Sequence, residues 1–373
     1  MATRPVTRKI RLLHIAQSLF YGGMERLIAD MVHRIDRDRF DVHVLCTLRF
    51  GRFAEGLDAV AGLHLARPLT RKSLIWPNTL RDDIRKIAPD VVHTHSGIWY
   101  KASAAARMAG VRRIVHTEHG RAKPDPWSHR LVDAIGARRT DVVVAVSAPL
   151  AVQLEHDLRI PRRKIVVVPN GVDTKLHRPV TDDGVLRREL HIPPDTPIIG
   201  SIGRLQPIKG YDVMVEAFAI LRAQWPGGAP PVLVVGGEGA ERPALEQRVR
   251  EHGLGGAVHL LGWRDDIRTL HAGFTLFTMS SRSEGTSVSL LEAMSAGLCP
   301  VVTDVGANAA VLGEPLRHRL VPSEQPAALA EAWLDALRDP VRRCHDAATA
   351  RARVVAEYGL DAMVQAYERI YCG

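Results

Sequence analysis

Residues 275–297 read TLFTMSSRSEGTSVSLLEAMSAG. A strand-length apolar run at 275–279 opens into a polar loop, and the loop passes into a helical run. The same order recurs in the second half of the chain after apolar runs at 198–202, 232–235, 258–261 and 300–303, and a further strand is expected at 319–321. In the first half, strands are expected at 10–17, 41–47, 63–66, 91–94, 113–117, 141–146 and 164–168, with helical patterns such as 24–35 and 76–87 between them. Continuous Val, Ile and Leu strands alternating with helices argue for parallel sheets covered on both faces. The pattern runs twice, so two doubly wound α/β lobes are expected.

The boundary is expected at Pro169-Asn170-Gly171-Val172-Asp173, where Pro, Asn and Gly break regular structure before a polar, proline-dotted stretch to 197. That places an N-terminal domain at 1–174 and a C-terminal domain at 175–357. A last helical pattern at 360–371, within 358–373, either closes the second lobe or crosses back to the first.

The chain has 373 residues, 46% hydrophobic and 24% charged, the balance of a folded globular protein and not of a disordered one. Its four cysteines are scattered without CxxC spacing, which supports neither a zinc site nor a disulfide framework. The expectation is a protein of the reducing cytoplasm, free or at the inner face of the membrane. Arg11, His14 and Gln17 interrupt the first apolar run, so it reads as a strand and not as a signal peptide. Charge is uneven: residues 1–174 hold 29 Lys+Arg against 17 Asp+Glu, or +12, and the remainder holds −3 of the total +9. A basic first half suits an anionic partner or membrane surface, or is a solvated arginine-rich surface.

Three loops carry candidate chemistry. Gly22-Gly23-Met24-Glu25 joins the first strand to an amphipathic helix, whose N-terminus offers N–H groups and a positive dipole to an anion. In Ser201-Ile202-Gly203-Arg204-Leu205-Gln206-Pro207-Ile208-Lys209-Gly210, two cations share the loop after a buried strand and suit a diphosphate. In the opening stretch, Glu284 precedes a helix and Glu292 lies about two turns inside it. Such carboxylates accept strong hydrogen bonds from sugar and ribose hydroxyls.

Together GGME (22–25), TEHG (117–120), PNGVD (169–173), SIGRLQPIKG (201–210), VVGGEG (234–239) and EGTSVSLLEAMSAG (284–297) resemble the retaining glycosyltransferases of family four. The resemblance covers nearly the whole chain. It implies the GT-B fold, an α/β architecture of two Rossmann-like doubly wound parallel-sheet domains facing across a cleft. It implies a nucleoside-diphosphate sugar donor, with UDP favoured, and no cofactor or metal. The acceptor implied is a glycan or lipid-linked molecule of polysaccharide or glycoconjugate biosynthesis.

Carried over by position, Arg204 and Lys209 hold the donor diphosphate, Glu292 the ribose and Glu284 the transferred sugar. The amides of Thr286, Ser287 and Val288 contact the sugar or distal phosphate. Gly22 and Gly23 approach the donor phosphates or the acceptor. His119 reaches donor sugar and acceptor, and Arg264 lies along the base. Glu25, Arg121 and Lys123 fall on the acceptor side. Many relatives have an aromatic residue and a glycine where this chain has Thr286-Ser287, which bears on the sugar pocket.

Other candidates read differently. Asp36-Arg37-Asp38 fits a DxD metal motif but falls in an expected surface turn. His93, His95, His116 and His119 look like a ligand cluster. However, His93 and His95 are expected on opposite faces of an extended segment, as are 116 and 119, and no carboxylate motif completes a site. Trp99, Tyr100, Lys101, Arg107, Arg112 and Arg113 suggest either a membrane-facing helix or one packed on the first sheet. A nucleotide-sugar epimerase of similar fold and a non-enzymatic binder of anionic surfaces or nucleic acid are the alternative functions. Against nucleic acid, aromatics are only 5% of the chain, too few to interleave a basic stripe.

Overall fold

A computed structural model describes residues 8–68, 77–121 and 126–373. Residue 76, where one helical pattern was placed to begin, and Lys123 lie outside the described residues. The chain divides into one unit of Met1–Asn170 with Leu360–Gly373 and a second of Gly171–Gly359.

The first unit runs β1 (Ile10–Ser18), α1 (Gly23–Arg34), β2 (Phe40–Arg49), β3 (Gly62–Leu65), α2 (Asn78–Ile87), β4 (Val91–His95), α3 (Trp99–Ala109), β5 (Arg113–Glu118), α4 (Trp127–Arg139), β6 (Val142–Ala145), α5 (Ala148–Leu158) and β7 (Ile165–Val167). Its strands pair in parallel in the order β3-β2-β1-β4-β5-β6-β7. The second unit runs α6 (Val185–Glu189), β8 (Ile198–Ile202), α7 (Tyr211–Ala223), β9 (Val232–Gly236), α8 (Arg242–Glu251), β10 (Val258–Leu260), α9 (Ile267–Gly273), β11 (Leu276–Met279), α10 (Val288–Ser295), β12 (Pro300–Thr303), α11 (Asn308–Leu312), β13 (Leu320–Val321), α12 (Pro326–Arg338) and α13 (Pro340–Glu357). Its six strands are also parallel, in the order β10-β9-β8-β11-β12-β13.

The strand sequences explain this layering. Alternate residues of one strand fall into separate cores on the two faces of the second sheet. Ile198, Val232, Val234, Phe277 and Val302 lie in one, and Ile199, Leu233, Val235, Leu276 and Val301 in the other. A strand buried on both faces has no polar side, so its sequence is a run and not an alternation.

The last helix, α14 (Leu360–Cys372), belongs to the first unit. Its Tyr371 hydroxyl lies 2.7 Å from His93 Nδ1, and its Tyr367 hydroxyl 3.0 Å from Thr117 Oγ1. Glu368 accepts the Asp36 amide at 2.9 Å, and Asp36 in turn accepts the Asp38 amide at 2.9 Å. The D-x-D triplet therefore sits in the turn between α1 and β2.

The membrane-facing reading of the 99–109 helix does not hold. Trp99 is buried, its ring stacked on His116 at 3.8 Å, and its indole N–H donates to Thr140 at 2.9 Å. Arg107 donates to the Arg139 carbonyl at 3.0 Å and pairs with Asp141. The apolar residues of α3 pack into two cores of the first unit, Ala102, Ala105 and Ala106 in one and Trp99 in the other. No described helix is long and apolar enough to cross a membrane.

One buried cation ties the end of the second unit together. Arg319 is 1% exposed and donates at 2.7 Å both to Asp346 on α13 and to Asp335 on α12. Removing one partner of a buried pair strands the other charge. Arg319→Met should therefore lower stability by about 3–5 kcal/mol, and Arg319→Lys by less. Calorimetry on the full chain checks this, and an unshifted unfolding transition for Arg319→Met refutes it.

Candidate functional site

In the second unit the strand order reverses between β8 and β11, and ligands of open α/β sheets bind at the carboxyl ends of such strands. The loop after β8 carries Arg204 and Lys209. The loop after β11 carries Ser281, Arg282 and Glu284. Lys209 Nζ donates to Glu284 Oε1 at 2.6 Å, and Ser281 Oγ donates to the same oxygen at 2.6 Å. Glu284 is only 7% exposed, and its Oε2 accepts no hydrogen bond among the described residues. One carboxylate oxygen is thus anchored and the other left as an acceptor. Arg204 is exposed, and its guanidinium makes no hydrogen bond or ion pair among the described residues.

Several contacts fix these loops. Ser280 Oγ lies 2.8 Å from the Gly210 carbonyl oxygen and 3.1 Å from that of Lys209, as a bifurcated donor. The Arg282 amide donates to Ile208 at 2.8 Å, and its guanidinium forks onto both Asp212 oxygens at 2.8 and 3.0 Å. From the loop after β12, Gly306 comes up beneath Glu284 with φ +58°. A Cβ there would stand 1.8 Å from the Glu284 carbonyl oxygen.

Thr286 and Ser287 are buried and Val288 is half-buried at the N-terminus of α10, where backbone N–H groups and the helix dipole favour an anion. Glu292 follows inside the same helix and is buried, with Oε1 3.4 Å from His177 Nε2. The loops after β8, β9 and β10 are laced by backbone bonds: Gly203 to Gly236 at 3.0 Å, Leu205 to Glu238 at 3.0 Å and Gly237 to Gly262 at 2.8 Å. Arg264 lies just beyond, its guanidinium forked onto Asp266 and Glu189. The side chain expected along a base is therefore tied to two carboxylates, which raise its pKa above the usual arginine value.

In the first unit Gly22 precedes α1 and Glu25 lies in its first turn. The Glu25 carboxylate is buried and folds back over Gly22, 2.2 Å from where a Cβ would stand. A carboxylate thus already faces this helix N-terminus beside Gly22 and Gly23. Arg121 is 6% exposed and pairs with Glu118 at 3.0 Å and Asp133 at 2.9 Å. It is not an open acceptor-side cation, because the buried Glu118 and the half-buried Asp133 hold it. Burial pushes the Glu118 carboxyl up, but His116, Arg121 and Ser96 outweigh it and bring it to about 2. Ser96 bridges Glu118 at 2.6 Å and the His119 amide at 3.1 Å.

The reading that His93 and His95 face apart is wrong. Residues two apart on a strand share a face, and these rings lie 4.2 Å apart. His14 Nδ1 lies 3.2 Å from His95 Nε2, and His95 Nδ1 lies 3.2 Å from His119 Nε2. Burial lowers His14 to about 3, lowers His119 to about 4 against the opposing pull of Glu118, and holds His95 well below its ordinary value. All three are therefore neutral near pH 7 with one N–H each. The two N···N contacts use two of these three protons. The third sits at one end of the line, on His119 Nδ1 or His14 Nε2, both buried without a partner among the described residues. His14, His93 and His95 also offer ring nitrogens within 4.8 Å of one another. Both nitrogens of His93 and of His95 have hydrogen-bond partners already.

Sheets of this order, with cations and carboxylates gathered at the reversal point, define an α/β enzyme built from two Rossmann-like units. Residues 21–176 match the model of Glycosyltransferase Family 4, and residues 182–367 that of Glycosyl transferases group 1. The chain belongs to this glycosyltransferase family, and its fold is the GT-B fold. It is 27% identical over 319 residues to the UDP-Gal:alpha-D-GlcNAc-diphosphoundecaprenol alpha-1,3-galactosyltransferase of Escherichia coli, covering 80% of this chain and 81% of that one. It is 32% identical over 298 residues to the D-inositol 3-phosphate glycosyltransferase of Nocardia farcinica, covering 73% of this chain and 65% of that one. In fold it is similar to Anabaena HepE in complex with UDP-glucose, with TM-score 0.84, 20% identity, and coverage of 96% and 98%.

Ser281, Arg282, His177, Ser96 and the His14–His95 line were not legible as site elements. Only the H-x-H spacing at 93–95 hinted at the last. The Gly306 contact yields a test. Gly306→Ala places a side chain in left-handed backbone, at about 1–2 kcal/mol, and against Glu284 as well. Thermal unfolding should show at least that loss, and transferase activity should fall with it. A variant of unchanged stability and activity refutes the role of this contact in seating Glu284.

Proposed function

We propose that the chain is a retaining, metal-independent glycosyltransferase. It moves a sugar from a UDP-sugar to a lipid-linked or glycan acceptor in polysaccharide or glycoconjugate biosynthesis. The observation that carries this reading is the grouping at the β8–β11 reversal point: the anchored Glu284, the ion-paired Lys209, and Arg204, which has no ion pair among the described residues. As the glycosidic bond to the diphosphate breaks, charge builds on the leaving phosphate while the sugar becomes oxocarbenium-like. Arg204, Lys209 and the N-terminus of α10 stabilise that charge in the role a divalent cation plays elsewhere. Preorganised donors of this kind contribute about 3–4 kcal/mol each when measured by removal. Glu284 holds a sugar hydroxyl through Oε2 and Glu292 the ribose hydroxyls. The amides of Thr286 to Val288 face the sugar or distal phosphate, and the backbone of the loop bearing Arg264 lies along the base. The acceptor attacks the face that the diphosphate leaves, and the departing phosphate takes its proton. In the first unit, Gly22 and Gly23 approach the donor phosphates or the acceptor, and His119 faces the sugar and acceptor. The name of the E. coli relative specifies a UDP-galactose donor and a diphosphoundecaprenol-borne acceptor, which supports UDP and a lipid carrier here.

Arg204→Ala combined with Lys209→Ala should abolish UDP-sugar binding, read by titration calorimetry, in a chain that still unfolds cooperatively. In the parent chain, turnover should persist in excess chelator and give product of the donor's anomeric configuration. Unchanged donor affinity in the folded double variant refutes the donor assignment. Loss on chelation restored by Mg²⁺ or Mn²⁺ refutes metal independence, and an inverted product refutes retention.

A lipid-borne acceptor calls for a membrane-facing surface, and the first unit offers one on α4. Trp127 is 77% and Leu131 55% exposed. They line a depression of about 650 Å³ together with Arg130, Arg138, Arg159 and Arg163. Apolar side chains ringed by arginines suit the inner leaflet, where each cation adds about 1 kcal/mol. Docking at the cytoplasmic face is thus reversible and weakened by salt. Co-sedimentation should show binding to anionic vesicles at low salt, less at high salt, and less for Trp127→Ser with Leu131→Ser. Equal binding to neutral vesicles, or none to anionic ones, refutes the membrane reading.

A further inference from the structure

A smaller cavity of about 220 Å³ lies in the second unit, between the chain after the domain boundary, α9 and the carboxyl end of α10. His177, Arg178, Arg268 and His271 line it, and no carboxylate does. Arg178 and Arg268 are exposed at its rim, and neither guanidinium makes a hydrogen bond or ion pair among the described residues. Behind them His271 is buried, yet both its ring nitrogens lack a partner among the described residues. Its ring is walled by Phe274 and Phe277, with centroids 6.2 and 6.3 Å away. A buried imidazole with nothing to bond is a cost that a ligand in the cavity relieves.

The carboxyl end of α10 would oppose an anion here by its dipole. Its last carbonyls are already met, however: Ala296 donates to Glu292 at 2.9 Å, Gly297 to Met294 at 3.0 Å and Leu298 to Ala293 at 3.1 Å. Two guanidinium forks and an imidazole N–H match the oxygens of a phosphate group, which takes paired donors from arginine.

We propose that this cavity is a binding site for a phosphate-type oxyanion, and that its occupancy is coupled to nucleotide binding. The link is His177, which lines the cavity and whose Nε2 stands 3.4 Å from Glu292. An oxyanion that draws this ring away removes a partner that orients the carboxylate. Phosphate therefore weakens nucleotide binding, and nucleotide weakens phosphate binding by the same factor. The coupling rests on Glu292 as the ribose ligand; the site itself does not.

The test is titration of inorganic phosphate into the full-length protein saturated with UDP, against chloride at matched ionic strength. Saturable binding is expected, lost in Arg178→Gln with Arg268→Gln. Without UDP it should be retained in Arg204→Ala with Lys209→Ala. The UDP dissociation constant should rise about 5-fold or more with phosphate in the parent chain, and not in the Arg178→Gln, Arg268→Gln variant. Absence of saturable binding, or its survival in that variant, overturns the site. Phosphate binding with an unmoved UDP constant overturns the coupling. Failure of UDP to bind at all counts against the donor reading, while the phosphate titration still decides the site.

Discussion

Gly210, just before α7, and Ser280, just after β11, meet with room for only a hydrogen between them. A Cβ on Gly210 would stand 2.2 Å from the Ser280 carbonyl oxygen. The Ser280 hydroxyl returns the contact to the Gly210 carbonyl at 2.8 Å. Lys209 and Ser281 are the next residues on either side, so this one approach sets the distance at which both reach Glu284. The Arg282–Asp212 fork and the Gly306 contact then hold the pair from two further directions. Adjacent parallel strands bring their carboxyl ends to one edge of the sheet, but the register of two loops a side chain apart is a matter of such close contacts.

Strands were legible because a sheet covered on both faces writes itself as an unbroken apolar run. Every expected strand is present within a residue or two, and 198–202 and 300–303 coincide with β8 and β12. That Lys209 and Glu284 stand on loops after strands was legible through their motifs, but their ion pair was not. What failed were readings of a side chain's surroundings. Trp99 beside Tyr100 and Lys101 reads as an interfacial patch, but its indole finds Thr140 from a segment forty-one residues on. Arg264 and Arg121 read as ligand-facing cations, yet each is held by two carboxylates, Glu189 being seventy-five residues from Arg264. Local sequence shows a charge and does not show its counter-charge.

The histidines make the same point with the opposite sign. His14 on β1, His95 on β4 and His119 after β5 are far apart in sequence and come together because β1, β4 and β5 are neighbours in the sheet. Burial keeps them neutral, so the line cannot stockpile charge. It passes on only the choice of which end carries the proton. A hydroxyl presented to His119 Nδ1 would meet a donor or an acceptor according to what His14 Nε2 holds at the other end.

The net +12 of residues 1–174 already counts every carboxylate against a cation, so paired cations add nothing to it. Arg11 pairs with Asp41, Arg121 with Glu118 and Asp133, and Arg107 with Asp141, while Lys164 caps the Thr140 carbonyl at 2.8 Å. Cations used in this way close helix ends and bridge strands, and their fields are largely cancelled at short range. Long-range attraction to an anionic leaflet depends on exposed charge within a screening length, about 10 Å at 0.1 M salt. That condition singles out the arginines around Trp127 and Leu131, where apolar area and positive charge occur together. In the proposed docking, the surface is what the ion pairs leave over, on α4 and not on the helix that the Trp99-Tyr100-Lys101 run suggests.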